Sequence, residues 1–261
     1  MVFVGVDVGS KYTKVVVMDE NRNVLSYVIA RTGTDLKQTS TSAFEEALKK
    51  ANVSKEDVKR IVATGFGKIS APFADDETTQ VISAAKGAYY VRPSTRTVIE
   101  VGAEESRAIS LDDNGNVKDF ALADKCAAGA GSFVDAMVRY LEVTPEEFGR
   151  LALQATKSIP MNAQCVIFAE SEVVSLLHAN VPKAEISRAI HDAIADRVAS
   201  IARRLEIRDD VLLIGGLAND IGFIDAMKRE LEREVYVPEN YPPEVVPAIG
   251  AAIVALESHK G

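Results

Sequence analysis

The chain has little of what marks several common functions. It has no run of Lys or Arg, and 38 acids outnumber its 30 basic residues, for a formal net charge of −8. Nucleic-acid binding needs a concentrated basic surface, so no nucleic-acid partner is expected. No apolar stretch approaches the roughly 18–20 residues that span a bilayer, so no membrane association is expected either. The opening MVFVGVDVGS lacks the basic lead and cleavage site of an export signal, and the expected location is the cytoplasm. Cys126 and Cys165 are too few for a disulfide scaffold. His178, His191 and His259 are isolated, and the first two sit in helical stretches where a histidine is more often packed or capped than a ligand. GxxxxGK(S/T), GxGxxG and HExxH are all missing, which disfavours a P-loop, a standard dinucleotide fold and a zincin.

What is present is an ordinary globular composition, 47% hydrophobic and 26% charged over 261 residues, enough for one large or two modest domains. VFVGVDVG and TKVVVMD read as two strands of a hairpin and meander. The pattern returns at an offset of 93 positions, where IEVGAEESRAISLDDNGNV lies on VDVGSKYTKVVVMDENRNV. Asp7 falls on Glu100, Gly9 on Gly102, Lys14 on Arg107, Asp19 on Asp112 and Asn23 on Asn116. This is a duplicated strand–turn–strand unit. Helices are expected over Ala43–Ala51, Gly131–Val143, Glu146–Ala155, Phe168–Ala179 and Pro182–Leu205. Val211–Asp220 reads as a buried strand ending in a glycine turn, followed by an amphipathic helix through Glu232 and a small-residue helix at the end. The expected domains are 1–93 and 94–261, with the closing helix at about 246–261 folding back on the first.

Two hairpins that each place an acid before a glycine turn can cradle a polyphosphate between them, because backbone N–H groups reach a phosphate most closely where no Cβ intervenes. On that reading Asp7 and Glu100 serve Mg²⁺ and the attacking water. Gly9, Ser10, Lys11, Thr13 and Lys14, with Gly102 and Ala103, face the phosphates. An ordinary glycine turn between strands fits DVGS equally well. Each cysteine precedes a helical run, in DKCAAGAGSF and in IPMNAQCVIFAESEVV, where helix N–H groups favour thiolate. Their spacing alone fits buried structural cysteines as well as metal ligands.

Together DVGSKYTK, EVGAEES and the IGGLAN of Gly215, Gly216 and Asn219 resemble the two phosphate motifs and the adenosine motif of the actin, Hsp70 and sugar-kinase superfamily. That likeness implies an α/β, duplicated actin-like (ribonuclease H-like) ATPase of two lobes, with mixed sheets flanked by helices. DKCAAGAGSF, SIPMNAQCVIFAESEVVSLLHA and VGAEES further resemble the 2-hydroxyacyl-CoA dehydratase activator and benzoyl-CoA reductase ATPase-subunit family, over nearly the whole chain. The resemblance implies a homodimer holding one 4Fe-4S cluster on Cys126 and Cys165 of both copies, since a cluster takes four thiolates. It also implies ATP/ADP and Mg²⁺, a ferredoxin or flavodoxin as electron source, and a reductase or dehydratase as acceptor. The second phosphate motif departs from the activators' usual Asp-Ile-Gly-Gly-Gln-Asp by reading Glu100-Val101-Gly102-Ala103-Glu104-Glu105. Glu104 thus joins Asp7 and Glu100 as a catalytic candidate, and the expected partner moves toward a reductase. The competing functions are a sugar-type small-molecule kinase and a nucleotide-binding actin-like scaffold.

Overall fold

The computed structural model describes residues 1–123, 131–161 and 166–260. Within it the chain divides into two compact units, Met1–Val98 with Leu111–Lys118 and Pro238–Gly261, and Ile99–Ser110 with Asp119–Val237.

The first unit is built on a five-stranded sheet of order β3-β2-β1-β4-β5. Its strands are β1 (Val2–Val8), β2 (Tyr12–Asp19), β3 (Val24–Arg31), β4 (Val58–Thr64) and β5 (Asp76–Glu77). The first three pair antiparallel, while β4 runs parallel to β1 and β5 parallel to β4. Side chains alternate across a strand, and both faces of this sheet are covered. Val4, Val6, Val15 and Val17 pack with Phe44 and Ala47 of α1 (Leu36–Ala51). Phe3, Val16 and Met18 lie under α8 (Val246–Lys260). Hence β1 is buried at every position, as a run that is apolar save for Asp7 requires. The small residues of α8 let backbones meet: a Cβ on Gly5 would fall 2.0 Å from the Ala248 carbonyl oxygen, and one on Gly250 would fall 1.8 Å from that of Ser83 in α2 (Gln80–Val91).

Helix α1 starts at Leu36 rather than Ala43, because Asp35 caps it by accepting a hydrogen bond from the Gln38 amide at 2.8 Å. Helix α2 has no counterpart among the expected elements. Its residues, QVISAAKGAYYV, are small and apolar on several sides and show no single stripe.

In the second unit the sheet order is β10-β9-β6-β7-β8. The strands are β6 (Thr97–Val101), β7 (Ser106–Leu111), β8 (Val117–Leu122), β9 (Val211–Ile214) and β10 (Val235–Tyr236). Five helices follow the expected ranges closely: α3 (Gly131–Leu141), α4 (Pro145–Gln154), α5 (Val166–His178), α6 (Lys183–Ala202) and α7 (Ile221–Leu231). Phe133, Met137, Phe148, Ile190, Leu213 and Phe223 are fully buried or nearly so in their shared core.

The duplication extends to individual hydrogen bonds. In the first hairpin Asp19 Oδ1 accepts from the amides of Asn21 and Asn23 at 2.9 and 2.8 Å, and Asn23 Nδ2 donates to Oδ2. In the second, Asp112 Oδ1 accepts from Asn114 and Asn116 at 2.9 and 2.8 Å, and Asn116 Nδ2 donates to Oδ2. Hydrogen bonds from Asn116 hold the Asp112 carboxyl below its ordinary range, and those from Asn23 and Asn21 outweigh burial to do the same for Asp19.

Candidate functional site: duplicated acid–cation pairs at glycine turns

On β1 and β2, Asp7 sits directly opposite Lys14, and residues paired in this way project from the same face. Lys14 Nζ donates to Asp7 Oδ2 at 2.7 Å, with both side chains mostly buried. The turn between the strands is closed by the Gly9 amide, which donates to the Tyr12 carbonyl at 3.1 Å. A Cβ on Gly9 would crowd that carbonyl at 2.7 Å and Lys14 Nζ at 3.1 Å. The Gly9 amide is therefore occupied, and Ser10 and Lys11 form the tip of the turn. Thr13 does not join this group. It lies one residue from Lys14 and so faces the opposite side of the sheet, fully buried, with Oγ1 2.9 Å from Thr32 Oγ1.

Past the end of β4, Gly65 adopts φ +92°, and a Cβ there would fall 2.4 Å from Asp7 Oδ1 and 2.6 Å from the Val8 carbonyl. Gly67 donates to that carbonyl at 2.8 Å. Gly65 thus walls Asp7 from a second side, and Gly67 packs its backbone against Val8 beside it. The signal for them is the glycine after a buried strand, the same signal that marked Gly215.

The second unit repeats the arrangement. The Gly102 amide closes its turn on the Glu105 carbonyl at 2.9 Å. Arg107 stands where Lys14 stands, its Nε 3.5 Å from Glu100 Oε2 and its Nη2 2.8 Å from Glu105 Oε2. Gly215, after β9, has φ +89°, and a Cβ there would strike the Val101 carbonyl at 2.4 Å. A Cβ on Gly216 would meet nothing within 4 Å, so this turn leaves space beside its backbone. Asn219 Nδ2 donates to the Gly216 carbonyl at 3.2 Å and braces the turn. The amides of Gly131 and Ser132, opening α3, donate to the carbonyls of Gly102 and Ala103, both at 2.8 Å. The acid-bearing turn is thereby tied to the helix that follows the Cys126 segment.

Cys126 and Cys165 lie outside the described residues. The helix after Cys165, α5, exposes Ile167 and Phe168 by about two thirds in its first turn (68% and 67%). Farther along α5, the Glu170 carboxylate accepts a hydrogen bond from Tyr140 and raises that phenol above its ordinary value. Among the described residues no three His, Cys, Asp or Glu side chains group to hold a metal ion. Mg²⁺ takes one or two carboxylates plus substrate phosphates, a donor set to which Asp7 and Glu100 can each contribute one carboxylate.

A twice-used strand–turn–strand unit, each with an acid beside a cation and a glycine turn behind the strand, within two mixed sheets flanked by helices, defines an actin-like fold. More narrowly, the chain belongs to the BadF/BadG/BcrA/BcrD ATPase family, whose sequence profile matches residues 4–255. It is 36% identical over 258 residues to an activator of lactoyl-CoA dehydratase from Anaerotignum propionicum, covering 99% of this chain and 98% of that one. Among solved structures it resembles component A of the (R)-2-hydroxyglutaryl-CoA dehydratase of Acidaminococcus fermentans, with a TM-score of 0.94 and 32% identity over 100% of both chains. It also resembles the activator of the 2-hydroxyisocaproyl-CoA dehydratase from Clostridium difficile with bound ADPNP, with a TM-score of 0.92 and 32% identity over 100% of this chain and 96% of that one.

Proposed function

We propose that this ATPase is an electron activator: two copies hold one 4Fe-4S cluster, and ATP hydrolysis drives single low-potential electrons into a partner reductase or dehydratase. A ferredoxin or flavodoxin resupplies them. The observation that carries the reading is that both cysteines fall inside the family match, residues 4–255, in a chain that has only two. A four-iron cluster takes four thiolates, so two per chain implies a pair of chains. The donor chemistry fits, since soft thiolates are the ligands of such clusters, and Cys165 immediately precedes the first residue of α5. The exposed Ile167 and Phe168 beside it suit a face covered by another protein. When bound, the cluster supplies the one-electron chemistry.

The chain's own groups handle the nucleotide. Asp7 and Glu100 would hold Mg²⁺, which would supply charge stabilisation to the phosphates, and one of Asp7, Glu100 and Glu104 would orient the water that attacks the γ-phosphate. ADP and phosphate leave. Lys14 and Arg107 hold the first two acids in place, while Ser10, Lys11 and Ala103 offer donors at the turn tips. Gly215, Gly216 and Asn219 form the platform for adenosine. Through Gly131 and Ser132, a shift at the Gly102–Ala103 turn reaches the start of α3 and so the neighbouring Cys126 segment. The protein works in the cytoplasm.

Anaerobic purification with iron and sulfide analysis tests the reading. About four irons per two chains is expected, with loss of iron in Cys126→Ser and in Cys165→Ser. A dimer free of iron after reconstitution, or a Cys126→Ser variant that keeps its iron, overturns it.

A further inference from the structure

The glycine turn that ends β9 is held from behind by a residue the nucleotide chemistry does not use. His191, in the middle of α6, is fully buried. Its Nδ1 lies 2.7 Å from the Ser187 carbonyl oxygen. A carbonyl only accepts, so Nδ1 carries a hydrogen. Its Nε2 lies 3.0 Å from Asp220 Oδ2. One proton between the second ring nitrogen and the carboxyl oxygen closes this contact as a hydrogen bond.

Asp220 caps α7 with its other oxygen: Oδ1 accepts from the amides of Gly222 at 2.9 Å and Phe223 at 3.3 Å. The Asp220 amide in turn donates to the Leu217 carbonyl at 3.1 Å, and Ala218 donates to the Gly215 carbonyl at 3.1 Å. Little slack remains around this point. The imidazole lies against the Phe148 ring with centroids 4.4 Å apart, and a Cβ on Gly149 would fall 2.5 Å from Asp220 Oδ1. An N-cap needs only one oxygen. The second oxygen of Asp220 is spent on tying the end of the turn to α6.

We infer that His191 is a positioning residue for the nucleotide: by gripping Asp220 Oδ2 it sets the place of the 215–219 turn on which adenosine rests. This rests on the reading of that turn given above. Glutamine can place an N–H donor near the position of Nε2, whereas leucine fills the space and donates nothing.

The test is ADPNP affinity and steady-state ATP hydrolysis in the intact protein. His191→Leu should weaken ADPNP binding and raise the KM for ATP by about tenfold, equivalent to about 1.4 kcal/mol. Its kcat at saturating ATP should stay within about threefold, a uniform-binding loss, and His191→Gln should recover most of the affinity. Glu185→Gln, on the same helix but bonded to Thr156 and Lys157 rather than to Asp220, should leave ADPNP affinity unchanged. Should His191→Leu fail to fold, Asp220→Ser keeps a capping oxygen, cannot reach His191, and should show the same loss. Wild-type affinity in His191→Leu or Asp220→Ser, no recovery in His191→Gln, or an equal loss in Glu185→Gln overturns the inference. A wild-type protein that hydrolyses ATP but shows no effect of Gly216→Val on ADPNP binding overturns the placement of adenosine, and the role of His191 with it.

Discussion

Replacing Gly215 by alanine perturbs one atom at the junction of β6, β9 and the turn. Gly215 has φ +89° and ψ 175°, a region that is essentially glycine's alone and costs other residues about 1–3 kcal/mol. The added Cβ would lie 2.4 Å from the Val101 carbonyl oxygen and 3.1 Å from the Val101 nitrogen. Both are backbone atoms of a fully buried strand residue, so no side chain can swing aside. Forcing the turn or the strand to move adds about 1–3 kcal/mol of overpacking. The smaller entropy of the unfolded alanine chain returns about 0.4–1 kcal/mol. The net expectation is a loss of about 1–6 kcal/mol, a large part of the stability of a typical domain. Urea denaturation with matched m-values measures it. The control is Gly216→Ala, whose Cβ meets nothing within 4 Å and which should stay within about 0.5 kcal/mol of the parent. If Gly215→Ala costs no more than Gly216→Ala, the argument from close approach and backbone conformation is refuted.

Asp7→Asn keeps the side-chain volume and removes the charge beside Lys14. Phosphate-release kinetics should show kcat for ATP hydrolysis falling about 100-fold, and an unchanged rate would remove Asp7 from the catalytic group. Burial pushes the Glu185 carboxyl up, but hydrogen bonds from the Lys157 amide and the Thr156 amide and hydroxyl outweigh it and hold the group below its ordinary 4.5. A depressed carboxyl stabilises the fold above its unfolded value and loses that contribution as pH falls through its folded one. The stability gap between the parent and Glu185→Gln should therefore be full at pH 7 and shrink below about pH 4.5, read from denaturation midpoints; a gap independent of pH would contradict it. Gly250→Ala would set a Cβ 1.8 Å from the Ser83 carbonyl and should destabilise by at least about 1–3 kcal/mol, and a neutral result by the same assay would mean that α2 and α8 do not meet this closely.

Much of the fold was legible along the chain because the signals are local. The run VFVGVDV marks a strand covered on both faces, and the offset that lays Asp19 on Asp112 foretells two turns with matching hydrogen bonds. The acid–glycine register likewise foretells that Asp7 and Glu100 each precede a closed turn. Helix α2 escaped because small residues on several sides erase the helical stripe, and the start of α1 escaped because LKQTSTS has the composition of a loop. That Thr13 faces away from Lys14 follows from strand alternation alone.

Other relations depend on residues far apart in sequence, whose meeting only packing decides. Gly65 presses on Asp7 because β4 lies parallel beside β1. His191 reads in the sequence as a packed histidine, but its grip on Asp220 exists only because α6 and α7 pack together at that level. Periodicity, caps and turns are written within a few residues because their hydrogen bonds close within a few residues. Which buried acid meets which glycine or histidine is settled by how sheets and helices stack, and no short stretch of sequence contains that information.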